Sequence, residues 1–347
     1  MPLKIKESFS FDDLMLTPKY SDIKSRSEIS LSVKLPKGIE VYHPIVPSNM
    51  RTIMGFDMAK ASIESKGLTI LHRFAPIEEQ FELFNKLALE CWSEGYLGVS
   101  VGVKPEDKDI VDRWVKAGAK IICIDIAHGD SELCVNMCTY ISKIYPEVLL
   151  IAGNVATGHG AKKLWDAGAD VVKSNVGSGS ICTTRIQTGN GIPAMTTLMD
   201  VYEAREMLLR TKSLGDRQLL IMNDGGIKTS GDCVKALCFA DLLMCGNIFA
   251  GCIETPGEIM EGSEGGLYKR YEGSSTHKNN HIEGVKALVQ IKGKFEDILT
   301  KFKEGIRSGM SYQGARDLDK LKEDPEFVKI THAGLIESGA HDVKVAK

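Results

Sequence analysis

Residues 148–177, VLLIAGNVATGHGAKKLWDAGADVVKSNVG, hold one complete unit of the fold. An apolar run (148–156) leads into an amphipathic stretch that closes on Ala167-Gly168, and a second apolar run (169–177) follows at once. Glycine just past a helix takes the left-handed conformation at little cost and frees the chain to turn into a strand. Both runs are short, continuous and rich in Val and Ile, as expected of parallel strands covered on both faces. The unit reads strand, helix, strand.

The same punctuation recurs outward from this unit. Lys66-Gly67 precedes LTILHRF, Glu94-Gly95 precedes YLGVSVGV, Ala117-Gly118 precedes AKIICIDIA, and Leu214-Gly215 precedes DRQLLIMNDGG. Two more runs, 44–50 and 241–247, fit the same role. Helix-start signals lie between them: Pro76 and Pro105 ahead of acidic residues, Ser131-Glu132, and Thr229 with Asp232 as a capping box. Eight strands alternating with helices predict a (β/α)8 TIM barrel, with a doubly wound open sheet as the alternative. After the eighth strand, EGSEGG (261–266) and EGSSTHKNNHIEG (272–284) break the rhythm, so 261–284 is expected to form flexible loops, with a mobile functional loop after strand 8 or disorder as the two readings. Residues 337–347 read as a loose tail, and no linker divides the chain, so 1–347 is expected to form one catalytic domain.

Composition narrows the function classes. The chain has 347 residues, with 43 Lys+Arg against 46 Asp+Glu and a net charge of −3. Such a balance argues against nucleic acid or an anionic membrane as partner. No apolar run approaches the roughly 18–20 residues of a membrane span, and MPLKIKESFSFDD has no signal-peptide core. Nine cysteines without a CxxC pair suggest neither a disulfide framework nor structural zinc, so a reducing, cytoplasmic setting is expected.

In a barrel of this kind the reactive groups sit in loops at the carboxyl ends of the strands. After the sixth strand comes Gly177-Ser178-Gly179-Ser180-Ile181-Cys182-Thr183-Thr184-Arg185. A cysteine in that glycine-wound loop, near Arg185, can have its thiolate stabilised and act as a nucleophile; the alternative is a small buried Cys, as expected of the other eight. After the seventh strand come Asn223-Asp224-Gly225-Gly226, and after the eighth Cys245-Gly246-Asn247. Glycine-rich loops at these two places are the usual phosphate site of the architecture, while a carboxylate such as Asp224 suits ribose hydroxyls. The alternative for DGG is a plain tight turn. Asn49, Asp125, His128 and Asn154 add polar groups around the same mouth. Glu283 reads as a solvated loop residue unless its loop folds over Cys182.

Taken together, AGNVATGHGAKKLWDAGADVVKSNVGSGSICTTR, NDGG, YEGSS and IEG resemble the IMP dehydrogenase/GMP reductase family of purine-nucleotide oxidoreductases, from FDDLML near the N-terminus to SYQGARDL near residue 318. Within it, Arg73-Phe74-Ala75-Pro76 runs straight into the next helix with no room for a regulatory CBS pair. The interval from Gly273 to Glu283 lacks the Arg-Tyr pair that the dehydrogenase flap carries. Lys24-Ser25-Arg26 and Asp125-Ile126-Ala127-His128-Gly129 look like the reductase versions of their segments.

The resemblance therefore implies NADPH-dependent reductive deamination of GMP to IMP and ammonia. It makes Cys182 the nucleophile, with Thr184 and Glu283 as a proton relay. Asp224, Gly225, Gly226, Gly246, Asn247, Gly273, Ser274, Ser275 and Gly284 match substrate-binding positions. Ser25, Arg26, Arg73, Asp125, Ile126 and Ala127 match NADPH positions, and the carbonyls of Gly177, Gly179 and Cys182 match a monovalent-cation (K+) site. It also implies a homotetramer. Departures from the family pattern are Ser178 for Pro, Arg51 for Asp, Asn247 for Gly, Arg73 for Lys, and one residue fewer between Phe239 and Asp241; they bear on nucleotide choice, including ribose versus deoxyribose. The other readings are an IMP dehydrogenase without its CBS module and a nucleotide-binding barrel without turnover.

Overall fold

A computed structural model describes residues 5–91, 95–262, 265–273 and 284–340. Its centre is eight strands: β1 (Ile45–Pro47), β2 (Thr69–Leu71), β3 (Leu97–Val101), β4 (Ile121–Asp125), β5 (Leu149–Val155), β6 (Val171–Ser174), β7 (Leu220–Asp224) and β8 (Leu242–Cys245). From β2 to β8 each strand pairs in parallel with the next in sequence, and β1 pairs in parallel with β8. β1 and β2 touch without a hydrogen-bonded ladder among the described residues, so the barrel is nearly closed. A doubly wound sheet would place its first strand in the middle and reverse direction there; this sheet runs in one rotational order, which settles the choice for the barrel.

Helices follow the strands: α1 (Phe56–Glu64), α2 (Ile77–Glu90), α3 (Asp107–Lys116), α4 (Glu132–Ile144), α5 (Gly158–Asp166), α6 (Thr184–Thr188), α7 (Ala194–Thr211), α8 (Ser230–Leu237), α9 (Asn247–Ala250) and α10 (Phe295–Tyr312). Ser131 caps α4 by accepting from the Cys134 amide, and Thr229 with Asp232 forms the capping box of α8. Pro76 stands at the N-cap of α2, and α3 begins two residues after Pro105. Gly95, Gly118, Gly168 and Gly215 adopt positive φ as expected; before β2 the left-handed residue is Lys66 (φ 59), one position early. Gly67 is needed for another reason: a Cβ there would stand 2.4 Å from Cε1 of buried His43.

Of the two polar stretches after β8, residues 263–264 and 274–283 lie outside the described residues. Met260–Glu261, β9 (Leu267–Glu272) and β10 (Lys286–Gln290) form a three-stranded antiparallel sheet. Two N-terminal pairings, Leu14–Leu16 with Phe327–Lys329 and Val33–Leu35 with Ile39–Val41, were not foreseen either. Among the described residues, no helix is long and apolar enough to cross a membrane.

One buried ion cluster ties the outer helices to the barrel. Asp241 accepts from Arg205 Nη1 at 3.0 Å, from Lys322 Nζ at 2.8 Å and from the Ile221 amide at 2.8 Å. Burial alone would raise the Asp241 carboxyl, but the two cations hold it below the usual carboxylate range. Asp241→Asn leaves two cations short of a partner and is expected to cost about 3–5 kcal/mol in urea unfolding at pH 7. Because the folded-state value is depressed, this contribution is full above about pH 4 and is lost as pH falls through the folded-state value. The gap between wild type and variant should close in acid.

Candidate active site

The loop after β6 winds on its glycines. The Cys182 amide closes a turn onto the Gly179 carbonyl at 3.0 Å. Cys182 pairs across an isolated antiparallel bridge with Gly284, and the Val285 amide donates to the Ile181 carbonyl at 3.1 Å. The Cys182 thiol donates to the Thr184 hydroxyl at 3.1 Å, where α6 begins. Of the nine free cysteines only Cys91 and Cys182 reach the surface. Burial pushes the Cys91 thiol up, and the buried Cys123 thiol up to about 12. Cys182 instead lines a cavity of ≈ 570 Å³ at the barrel mouth.

Arg185 packs into the loop. A Cβ on Gly177 or Gly191 would meet Arg185 Cγ at 2.6 Å, so the two glycines leave a channel for its stem. Its Nη2 donates to the Ile192 carbonyl at 2.5 Å. Through that bond and the channel left by the two glycines, Arg185 shapes the loop that carries Cys182.

The ribose-side residues meet the same cavity. Asp224 ends β7, and Gly225 (φ +83) and Gly226 (φ +82) turn the chain away in a conformation that disfavours side chains. Ser178, which stands where the family usually has Pro, donates its hydroxyl to the Asp224 carbonyl at 3.1 Å. The register between β5 and β6 slips between Gly153 and Val155. That bulge turns Asn154 inward, where its amide donates to Asp224 Oδ2 at 2.9 Å and to the Asn175 carbonyl at 3.0 Å.

The opposite wall carries the cofactor-side residues. Asp125, Ile126 and Ala127 line the cavity with Arg73 and Phe74. Arg73 Nε donates to the Asp125 carbonyl at 3.1 Å, and its guanidinium lies 4.8 Å from the Phe74 ring centre.

Some expected residues stand elsewhere. Ser25 and Arg26 are exposed at a short turn beside Glu28 and Arg316, and do not line this cavity. Asn247 opens α9 and lines a second cavity of ≈ 340 Å³ with Lys228 and Lys292, and Lys292 Nζ donates to its carbonyl at 2.5 Å. Gly246 lies against Tyr271: a Cβ there would stand 2.6 Å from the phenol oxygen. Gly273 does line the mouth cavity, and it faces Gly284 so closely that a Cβ on Gly273 would meet Gly284 Cα at 3.0 Å. Ser274, Ser275 and Glu283 lie outside the described residues.

Two residues escaped the sequence reading. Lys173, 1% exposed, places its ammonium 2.6 Å from Asp125 Oδ1 and 3.2 Å from Asp224 Oδ2. Tyr271 lines the cavity, bonds the Ser180 side chain and has its phenol pushed up to about 12 by burial. A charged residue inside VVKSN was the available signal for the first; the second sits in β9, which looked like loop.

A thiol with a hydroxyl partner, in an open cavity flanked by two carboxylates at the mouth of a (β/α)8 barrel, defines an enzyme class that can work through a covalent cysteine intermediate. A family model for the IMP dehydrogenase / GMP reductase domain matches residues 8–341. The chain belongs to the IMP dehydrogenase/GMP reductase family. It is 37% identical to a GMP reductase of Staphylococcus carnosus (strain TM300), over 91% of this chain and 94% of that one. It is 34% identical to an inosine-5'-monophosphate dehydrogenase of Borreliella burgdorferi, over 99% of each. Among solved structures, an alanine variant of GMP reductase from Trypanosoma brucei in complex with guanosine 5'-monophosphate matches with a TM-score of 0.89. That match has 27% identity and covers 98% of this chain and 99% of the other. The chain is thus an oxidoreductase of purine nucleotides, in a family whose hydride carrier is NAD(P)H.

Proposed function

We propose that this chain carries out NADPH-dependent reductive deamination of GMP to IMP and ammonia. The observation that carries the reading is the 3.1 Å contact between Cys182 Sγ and Thr184 Oγ1 in the mouth cavity. Attack of the sulfur on C2 of GMP forms a C–S bond, and the C2–N bond then breaks. An amine leaves only once protonated, so a hydroxyl beside the sulfur is placed to supply the proton that this step needs. Thr184 delivers the proton, in relay with Glu283, which follows the chain into Gly284 beside Cys182. Ammonia departs and a thioimidate remains on Cys182. NADPH, when bound, supplies the hydride to C2; the C–S bond then breaks, returning the thiolate and releasing IMP.

The residues present suit both ligands. Asp224 accepts ribose hydroxyls, while Gly225, Gly226, Gly246, Asn247, Gly273, Ser274, Ser275 and Gly284 serve the phosphate and base. On the cofactor side Arg73 keeps its terminal nitrogens without a partner among the described residues, and a guanidinium so placed suits a phosphate. Asp125, Ile126 and Ala127 offer the wall for a nicotinamide. Ser25 and Arg26, which do not line this cavity in the single chain, would serve the cofactor from a neighbouring copy in a homotetramer. The carbonyls of Gly177, Gly179 and Cys182 are the candidate K+ ligands. Nine free thiols suit a reducing cytoplasm.

The choice of reductase over dehydrogenase is supported by residues 274–283, STHKNNHIE after the first serine, which contain neither Arg nor Tyr, and by Pro76 passing directly into α2. The experiment is an absorbance assay of reduced cofactor. GMP with NADPH should lower the signal, and IMP with NAD should leave it flat. A rise with IMP and NAD, and no fall with GMP and NADPH, would make the chain a dehydrogenase.

A further inference from the structure

Lys173 is the one charged residue of β6, and its neighbours in register are Gly153 of β5 and Met222 of β7. Its stem has room only because Gly153 carries no side chain: a Cβ there would stand 2.5 Å from Lys173 Cβ and 2.5 Å from its carbonyl oxygen. A lysine so deeply enclosed is retained only with close anionic partners. Burial alone would make its ammonium easier to deprotonate, but Asp125 and Asp224 more than reverse this and hold it charged. The effect is mutual. Burial would raise the Asp125 carboxyl, and Lys173 instead keeps it below the ordinary range. The two carboxylates belong to opposite walls of the mouth, one closing β4 and the other closing β7, and both are partly open to the cavity. One cation thus serves two anions.

We propose that Lys173 is a positioning residue that ties the cofactor-side and ribose-side carboxylates into one charged unit and keeps both available as acceptors. It acts through them and touches neither ligand. The inference rests on the roles given above to Asp125 and Asp224.

The test replaces Lys173 by Met, which keeps length and removes charge. In the ligand-free chain, carboxyl-labelled NMR should move the Asp125 titration upward by about two pH units or more, since a buried carboxylate beside another takes up a proton when its counter-ion is removed. The KM for nucleotide and the KM for cofactor should both rise by about tenfold or more. The double variant Lys173→Met/Asp125→Asn carries the wild-type net charge in this cluster. It should bind GMP within a few-fold of Asp125→Asn alone, as judged by calorimetry. An unmoved Asp125 titration, or a double variant that binds GMP no better than Lys173→Met, overturns the proposal. If Lys173→Met does not fold, folding of the double variant supports the charge balance, and failure of both overturns it. A wild-type chain that does not bind GMP at all removes the ribose role of Asp224, and the proposal with it; binding by wild type with no response to Lys173→Met removes the proposal alone.

Discussion

Cys182→Ala is expected to lower reductive deamination by about 10⁴–10⁶-fold while GMP affinity stays within a few-fold of wild type. The size follows from the chemistry. Without the C–S bond the amine must leave directly from an aromatic ring, and the oxyanion-type and binding contributions that survive removal of a nucleophile recover only a small part of the rate. The structure makes the substitution clean. Cys182 is partly exposed, its amide bond to Gly179 is backbone, and its bridge to Gly284 is backbone as well, so the loop keeps its anchors when the sulfur goes. Mass spectrometry of the wild-type chain incubated with GMP should find a purine-nucleotide adduct on the peptide carrying residue 182, and the variant should show none. Full turnover by the variant would remove Cys182 from the mechanism. An adduct on Cys91, the other surface cysteine, would move the chemistry to the wrong side of the molecule.

The barrel was legible because its evidence is repeated. All eight runs picked out by apolar continuity became strands, from Ile45–Pro47 to Leu242–Cys245, and the glycines between them fell at the helix ends. Where the reading slipped, a local rule met a tertiary one. Gly67 was read as a left-handed cap, but His43 fills the space its side chain would need, and Lys66 carries the turn instead. β9 (LYKRYE) was missed because it alternates polar and apolar residues weakly, and its pairing with Met260–Glu261 and Lys286–Gln290 is not announced by composition. The same limit hid Tyr271. The site was legible where a motif concentrates it, in GSGSICTTR and NDGG, both of which border the cavity. Lys173 was not, since a lysine within an apolar strand can be recognised as functional only once its two partners, 48 residues before it in one case, are seen at its ammonium. The N-terminal pair Ser25 and Arg26 marks a further limit, for a single chain does not bring them to the mouth.

Thr184→Val separates the two halves of the proposed reaction. The substitution exchanges a hydroxyl for a methyl of similar size at a buried position, so α6 should keep its start. What disappears is the oxygen 3.1 Å from the sulfur. Loss of a positioned proton donor typically costs about 10²–10⁴-fold, and that loss should fall on the step that expels ammonia. The redox half makes no such demand. Starting from IMP and NADP+, a single turnover to the thioimidate moves hydride away from C2; it needs the sulfur but no leaving amine, and its rate should change little. Stopped-flow absorbance in the two directions reads the halves separately: slow reduction of GMP beside near-normal oxidation of IMP is the expected pattern. Equal slowing of both would mean that Thr184 holds the loop in shape, and Thr184→Ser distinguishes the two roles, because serine keeps the hydroxyl and should restore most of the deamination rate while loosening the packing of the lost methyl. A valine variant as fast as wild type in both directions would place the proton delivery elsewhere and leave the 3.1 Å contact as an ordinary thiol–hydroxyl bond.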